Sequence, residues 1–383
     1  MVAMDANAAL QVVMDGIIFE LQSRGGISRV YQEILPRMCE MDERLKISLF
    51  ADRRTKQTLP QHPQIDRVNI PTLRRYLRPA SIWMPVLTKV RDSARQHRLG
   101  DGSGQIWHST YYTYPENWAG NQLVMVDDLI YELFASLFSS RQDDWVRAHK
   151  QMCIQKADLI ICRSESTKND LLEYYQLKDK DIRIIYNAYS QVFHPLEKDE
   201  IKPEFRSLKP FFLCVGRRLR HKNFVQVLRA YSRWPHKSSV DLVVVDSQPW
   251  SRQERTMLAE LGVEQTIHLY RDINDDELCQ LYNQAEAFIH PSLYEGFGIP
   301  LLEAMACGCP VIASRIPSTI EVAGDVPFYF EPHAINDLCD KLDIALSSGK
   351  NTPRVRQGLQ KVKDYSWDKT ARQTLDVYWE LVA

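Results

Sequence analysis

The 383-residue chain carries 48 basic and 49 acidic side chains, a formal net charge of −1, and 44% hydrophobic residues. A near-neutral globular composition gives no bulk electrostatic case for nucleic acid, and the length exceeds one ordinary core, so two domains of roughly 150 to 200 residues each are expected. The eight cysteines (39, 153, 162, 214, 279, 307, 309 and 339) form no C-x-x-C pair and lie mostly in apolar runs, which suits buried thiols in a reducing compartment, with Cys307 and Cys309 read as packing residues. No apolar run reaches the roughly 18 to 20 residues that span a bilayer, and the N-terminus lacks a basic region followed by an apolar signal core, so a cytoplasmic protein is expected.

In chain order, Leu10 to Phe19 reads as a first strand. Ser23-Arg24-Gly25-Gly26-Ile27-Ser28-Arg29 follows, and then a helical pattern from about Val30 to Met41. A strand, glycine loop and helix put backbone N–H groups where phosphate binds, although a glycine pair also serves as a plain turn. Lys46 to Ala51 and Asp66 to Ile70 read as strands. From Thr72 to Arg98, seven basic residues interleave with Tyr76, Trp83 and aliphatics, opposed only by Asp92. That composition fits either a helix lying on an anionic membrane surface or an ordinary helix pair with arginines in solvent. Gln105 to Thr110 is a strand end carrying His108, and Gln122 to Val126 is another, followed by Asp127 and Asp128. Both ends are candidate ligand positions, since ligands gather at the carboxyl ends of strands in open α/β sheets. Ala157 to Cys162 is a buried strand, Ser164 to Thr167 a helix cap, and Ile182 to Tyr186 a last strand. The spacing Asp179-Lys180-Asp181 lies in an expected turn and is not a convincing metal and nucleotide site. Polar residues His194 to Glu200 read as an interdomain linker.

The second half opens with a strand at Pro210 to Val215, then Gly216-Arg217-Arg218-Leu219-Arg220-His221-Lys222-Asn223 and a helix from about Phe224 to Trp234. Cations directly after the first strand of an α/β domain are well placed for a diphosphate, and a charge run in a loop is also an ordinary solvated face. Val240 to Val245 and Gln265 to Tyr270 are strands, and Asp276 to Ala287 is helical. The apolar run Ala287 to Ile289 breaks at His290-Pro291-Ser292 and leads through Glu295-Gly296-Phe297-Gly298 into a helix from Pro300 to Ala306 ended by Gly308. Glycines here let a ligand approach bare backbone, and Glu295 in the turn with Glu303 on the helix gives two carboxylates for one ligand. Phe328 to Phe330 is a further strand, and Asp368 to Leu381 an amphipathic closing helix.

The segment Ala287 to Ser314 resembles the E-x7-E signature of retaining glycosyltransferases of family 4. The resemblance implies an α/β protein of the GT-B type, two facing Rossmann-like domains with an interdomain cleft and a C-terminal helix crossing back to the first. Residues 1–195 with 366–383 would form the acceptor-binding domain and 205–365 the nucleotide-sugar domain. Carried over residue by residue, Glu295 lies beside the donor sugar in the Gly296-Phe297-Gly298 turn, and Glu303 bonds the ribose hydroxyls. Arg217 and Lys222, in a loop resembling V-G-R-x-x-x-x-K-N, take the diphosphate; Gly25 and Gly26 resemble the G-G-x-x-R loop. The implied activity is transfer of a sugar, mannose-like, from a GDP- or UDP-linked donor to a glycan or lipid-linked acceptor in cell-surface polysaccharide synthesis. No cofactor and no metal is implied, only the nucleotide sugar as co-substrate. A nucleotide-sugar epimerase or phosphorylase on the same fold, or a non-catalytic partner subunit, are the alternatives.

The chain departs from the family in three places. Asp246-Ser247-Gln248 stands where many relatives have glycines, Ala188-Tyr189 replaces a glycine and a small apolar residue near the hinge, and Asp127 stands where many relatives carry a histidine close to the donor sugar. An aspartate supplies no cation there, and His108, at the preceding strand end, is the candidate to take over, the other reading being that it merely caps the sheet.

Overall fold

A computed structural model describes residues 9–22, 25–52, 55, 57–69, 97, 100–178 and 180–383. The basic and aromatic stretch from Thr72 to Arg98, with the membrane contact expected of it, lies outside the described residues except for His97. Two compact units divide the chain: the described residues up to Asn187 together with Trp367–Ala383, and Ala188–Ser366.

The first unit is a seven-stranded parallel sheet in the order β3-β2-β1-β4-β5-β6-β7, made of Leu10–Asp15, Leu45–Ala51, Ile65–Asn69, Ile106–Ser109, Asn121–Val126, Leu159–Cys162 and Asp181–Ile184 as β1 to β7. Its strands are short and its central ones buried along their length, as a sheet covered by helices on both faces requires. The first strand ends at Asp15, short of the expected Phe19, and Ile17–Leu21 is helical instead. Gly16 lies so close to β2 that an added Cβ would fall 2.7 Å from the Ala51 Cβ, and the Asp15 carboxylate accepts from Ile17 N and Thr110 N, turning the chain. The apolar run Ile17-Ile18-Phe19 is therefore buried as a helical turn.

The closing helix Trp367–Val382 belongs to this first unit, as expected of a C-terminal helix that returns to it. Trp367, Thr370, Ala371, Thr374, Leu375 and Tyr378 recur at helical spacing and are buried against the helix Gly26–Met41 and strands β1 and β4. Arg37 pairs with Asp368 at 3.0 Å, Trp379 donates to Asp42, and Thr370 to the Tyr186 carbonyl. Burying each large apolar side chain contributes about 1.5 to 3 kcal/mol, so packing holds this helix and the rim pairs orient it.

The second unit is a six-stranded parallel sheet in the order β10-β9-β8-β11-β12-β13, from Phe211–Val215 (β8), Asp241–Val245 (β9), Ile267–Tyr270 (β10), Ala287–His290 (β11), Val311–Ser314 (β12) and Phe328–Phe330 (β13). The stretch read as a linker is part of it. Phe193 is buried edge-on to Tyr282 at 5.9 Å between ring centroids, Leu196 N donates to Asn283, and Lys202 N to Gln280. In each parallel sheet the strand order reverses once, between β1 and β4 and between β8 and β11, and ligands of open α/β sheets bind at such switch points.

No helix among the described residues is long and apolar enough to cross a membrane. The eight cysteines are free thiols, seven buried and Cys339 partly so, and Cys279 and Cys307 approach to 3.8 Å between sulfurs.

Candidate functional site

The switch point of the second sheet brings the two motif loops together, because β8 pairs directly with β11 and both loops leave their carboxyl ends. Every residue of β11 is buried, and its last, His290, leads into the glycine turn. Gly298 adopts φ 96°, a left-handed conformation that a side chain would strain, and caps the helix Ile299–Ala306, with Pro300 in its first turn and Gly308 beyond its end. The backbone N–H of Leu293 donates to the His221 carbonyl at 2.8 Å, tying this loop to the one after β8.

Glu295 and Lys222 form one unit. The Lys222 ammonium donates to Glu295 Oε1 at 2.5 Å, Ser292 Oγ donates to the same oxygen at 2.6 Å, and His290 Nε2 lies 3.6 Å from it. Only 13% of the Glu295 side chain is exposed. Burial pushes its carboxyl up, but Lys222, His290 and Ser292 outweigh it and hold the group down to about 2. Glu295 is thus an ionised acceptor at any physiological pH.

Glu303 sits on the buried face of its helix at 3% exposure, and its Oε2 accepts from the Tyr282 hydroxyl at 3.3 Å. Burial and the adjacent carboxylate keep Tyr282 protonated, so it remains a donor that orients Glu303. Phe297 is buried edge-on to Tyr365, anchoring the turn, and Gly296 lies beside it.

The basic loop after β8 divides its labour. Arg217 is exposed and, among the described residues, has no ion-pair partner; it lines a groove of about 750 Å³ with Arg220, Phe224 and Trp250. Arg218 is turned inward at 5% side-chain exposure: it donates to Asp246 at 2.7 Å and Glu254 at 2.6 Å, and its guanidinium stacks 4.4 Å over Trp250. Asp246 also accepts from the Arg218 and Gln248 backbone N–H groups. The Asp246-Ser247-Gln248 stretch therefore clamps the loop that follows β8. Sequence reasoning missed this pairing because only the adjacency of β8 and β9 places Arg218 beside Asp246.

In the first unit the expected residues are placed differently. Gly25 is extended at the start of the helix Gly26–Met41, which begins four residues before the expected Val30. A Cβ on Gly25 would lie 2.2 Å from the Gln22 amide oxygen, which itself accepts from Ser28 N at 3.4 Å, so the preceding loop already caps this helix. Of the Asp179-Lys180-Asp181 spacing, Asp179 lies outside the described residues, Lys180 is bound to the Gln155 and Ala157 carbonyls, and Asp181 pairs with Arg183.

The expectation that His108 supplies a cation is corrected. The ring is fully buried, with Nδ1 2.5 Å from the Tyr378 hydroxyl and Nε2 3.4 Å from that of Tyr31. Burial, with Arg163 nearby, lowers its pKa to about 3, so it is neutral and part of the core. The cation beside Asp127 is Arg163, missed from sequence, whose Nε lies 3.3 Å from Asp127 Oδ1 while its Nη1 holds the Ile185 carbonyl. Burial raises the Asp127 carboxyl and Arg163 opposes that rise. A second buried pair, Lys150 with Glu132 at 2.8 Å, braces the Asp128 carbonyl and the Tyr175 hydroxyl beside it.

Two family models match the chain, "Glycosyltransferase Family 4" over residues 24–190 and "Glycosyl transferases group 1" over 197–361. Among curated proteins, the O-antigen chain mannosyltransferase B of Escherichia coli is 27% identical over 59% of this chain, a match spanning 61% of that relative's length. Among solved structures, sucrose-phosphate synthase from Thermosynechococcus elongatus aligns over 97% of this chain and 99% of its own at TM-score 0.77 and 18% identity. The Anabaena protein HepE in complex with UDP-glucose aligns over 97% and 99% at TM-score 0.72 and 15% identity, a likeness of fold alone. Two Rossmann-like parallel sheets, the E-x7-E loop over the second switch point and the two matching models agree: the chain belongs to the family 4 glycosyltransferases, of the GT-B fold.

Proposed function

We propose that this protein transfers a sugar, mannose-like by analogy with the O-antigen relative, from a nucleoside diphosphate to a glycan or lipid-linked acceptor in cell-surface polysaccharide synthesis, with retention of configuration. The observation that carries the reading is the Lys222–Glu295 pair under a glycine turn at the switch point of the second sheet, with Arg217 exposed on the same loop. Negative charge builds on the departing diphosphate as the glycosidic bond breaks. Arg217, Lys222 and the N–H groups opening the helix Ile299–Ala306 would stabilise it, while Glu295 accepts from sugar hydroxyls and Glu303 from the ribose. The basic and aromatic stretch 72–98 is proposed to bring the protein to an anionic membrane, where a lipid-linked acceptor would lie.

The test is product analysis. Incubation with GDP-mannose or UDP-glucose and a lipid-linked or oligosaccharide acceptor is expected to give an elongated glycan whose new linkage keeps the donor's anomeric configuration. Release of only free sugar or sugar phosphate would replace transfer with epimerase or phosphorylase chemistry, and failure to bind any nucleotide would make the chain a non-catalytic subunit.

A further inference from the structure

His290 is the last residue of the central strand β11 and is 4% exposed, its ring packed beside Phe288 at 5.9 Å between centroids. Its Nε2 is buried without a hydrogen-bond partner among the described residues. Folding leaves such atoms unpaired only rarely, because they give up water and gain nothing. This one does not face apolar core. It lies 3.6 Å from Glu295 Oε1, and a Cβ built on Gly298 would sit 3.6 Å from it, so the ring edge is set against the turn from Glu295 to Gly298.

The chemistry of that edge is constrained by its neighbours. Burial disfavours a second proton on the ring, the Glu295 carboxylate favours it and the Lys222 ammonium disfavours it, leaving the imidazole neutral with one N–H to give. The only nearby acceptor these distances identify is Glu295 Oε1, already held by Lys222 and Ser292. A diphosphate that draws the Lys222 ammonium toward itself would lengthen the Lys222–Glu295 contact and leave Ser292 as the remaining close donor to that oxygen.

Building on the donor reading above, we propose that His290 is a positioning residue for Glu295. As Lys222 turns to the diphosphate, the Nε2–H of His290 closes the 3.6 Å gap and becomes the donor that keeps the Glu295 carboxylate aimed at the sugar. The hand-over is set off by the diphosphate of a nucleoside diphosphate sugar, and it keeps in place the carboxylate that meets the hexosyl group. No bond is made or broken in this step; one hydrogen bond replaces another.

The experiment compares His290→Leu, which removes the N–H, with His290→Gln, which keeps one, titrating GDP-mannose, GDP and guanosine, and UDP-glucose, UDP and uridine, by calorimetry. His290→Leu is expected to lose about tenfold in affinity for the nucleotide sugar the parent prefers and for the matching diphosphate, the size of one charge-assisted hydrogen bond, and less than about twofold for the nucleoside without phosphates. His290→Gln should stay within about threefold of the parent, and in a Glu295→Gln background His290→Leu should add less than about twofold. A loss for the nucleoside equal to that for the diphosphate, no loss, or no rescue by glutamine overturns the role. A parent that binds no nucleotide sugar overturns the donor reading instead. Carboxyl ¹³C titration of Glu295 with saturating inorganic diphosphate then still decides the hand-over: His290→Leu should raise its midpoint by about one pH unit, and an unchanged midpoint overturns it.

Discussion

Replacing Lys222 with methionine keeps the stem of the side chain and deletes the charge that Glu295 depends on. The Glu295 carboxyl stands at about 2 against an ordinary 4.5, a displacement equivalent to about 3 kcal/mol at 1.36 kcal/mol per pH unit. Because the folded pKa is depressed, this stabilisation is fully present above pH 4.5 and is lost as the pH falls through about 2. Lys222 is not the sole cause, since Ser292 and His290 also favour the carboxylate, and its own side chain is 32% exposed and screened by water. The expected loss for Lys222→Met is therefore about 2 kcal/mol at pH 7 and low salt, closing toward zero as the pH falls from 4.5 to 2. Urea unfolding of parent and variant at half-unit steps from pH 3 to pH 7 reads this directly. Two stability curves that run parallel across the range would show that Lys222 is not what holds Glu295 ionised. The same variant should weaken nucleoside diphosphate binding, which a purely structural pair would not do.

Three further outcomes follow from the second unit. Glu303→Ala should weaken binding of UDP or GDP by about 1.5 to 3 kcal/mol while Tyr282→Phe costs less, and unchanged affinity in Glu303→Ala removes it from the ribose. Arg217→Ala should weaken diphosphate binding with the melting temperature unchanged, because its side chain is exposed; equal losses for nucleoside and nucleotide would indicate damage to the fold. Arg218→Ala should do the opposite, costing about 3 to 5 kcal/mol of stability by leaving Asp246 buried and unpaired, and a stable Arg218→Ala protein would show that the clamp is not structural.

What was legible in the sequence was local. The glycine turn and helix from Glu295 to Gly308 could be read residue by residue because the turn conformation, the proline in the first helical turn and the terminating glycine are all set by neighbours in the chain. The short apolar runs at Phe288 and Phe328 could be read as strands for the same reason. The reading failed where a distant residue decides. Ile17-Ile18-Phe19 continues the apolar pattern of β1, and only the approach of Gly16 to Ala51 and the Asp15 cap end that strand early. The polar run from His194 to Glu200 looks like a linker until Asn283 is seen to accept the Leu196 N–H and Gln280 to donate to the Glu200 carbonyl. Arg218 and Asp246, or Asp127 and Arg163, are opposite charges far apart in the chain whose meeting is dictated by strand order.

The first unit supplies the sharpest test of that lesson, because the sequence pointed to His108 and the structure points to Arg163. A histidine that served as a cation beside a leaving phosphate would need a raised pKa, yet burial lowers that of His108 from 6.5 to about 3. The unfolded chain therefore binds this proton below pH 6.5 while the folded one does not, so His108 makes the protein lose stability as the pH falls from 6.5 toward 3, by about 5 kcal/mol at most. His108→Phe should abolish that slope while lowering stability at pH 8, where the Tyr31 and Tyr378 hydroxyls lose their partner. The window opens above that of Glu295 and overlaps it only below pH 4.5, so the two variants can be told apart by their slopes between pH 4.5 and 6.5 in one series of unfolding curves. Glycosyl transfer by folded His108→Phe should keep the parent's pH profile between 5 and 8. Arg163→Met should instead leave Asp127 buried without its cation, costing about 3 to 5 kcal/mol, while Asp127→Asn is expected to change discrimination between GDP-mannose and UDP-glucose more than it changes affinity for GDP. A His108→Phe protein with the parent's acid limb intact and turnover down by more than about tenfold would refute this assignment and return the catalytic role to the histidine.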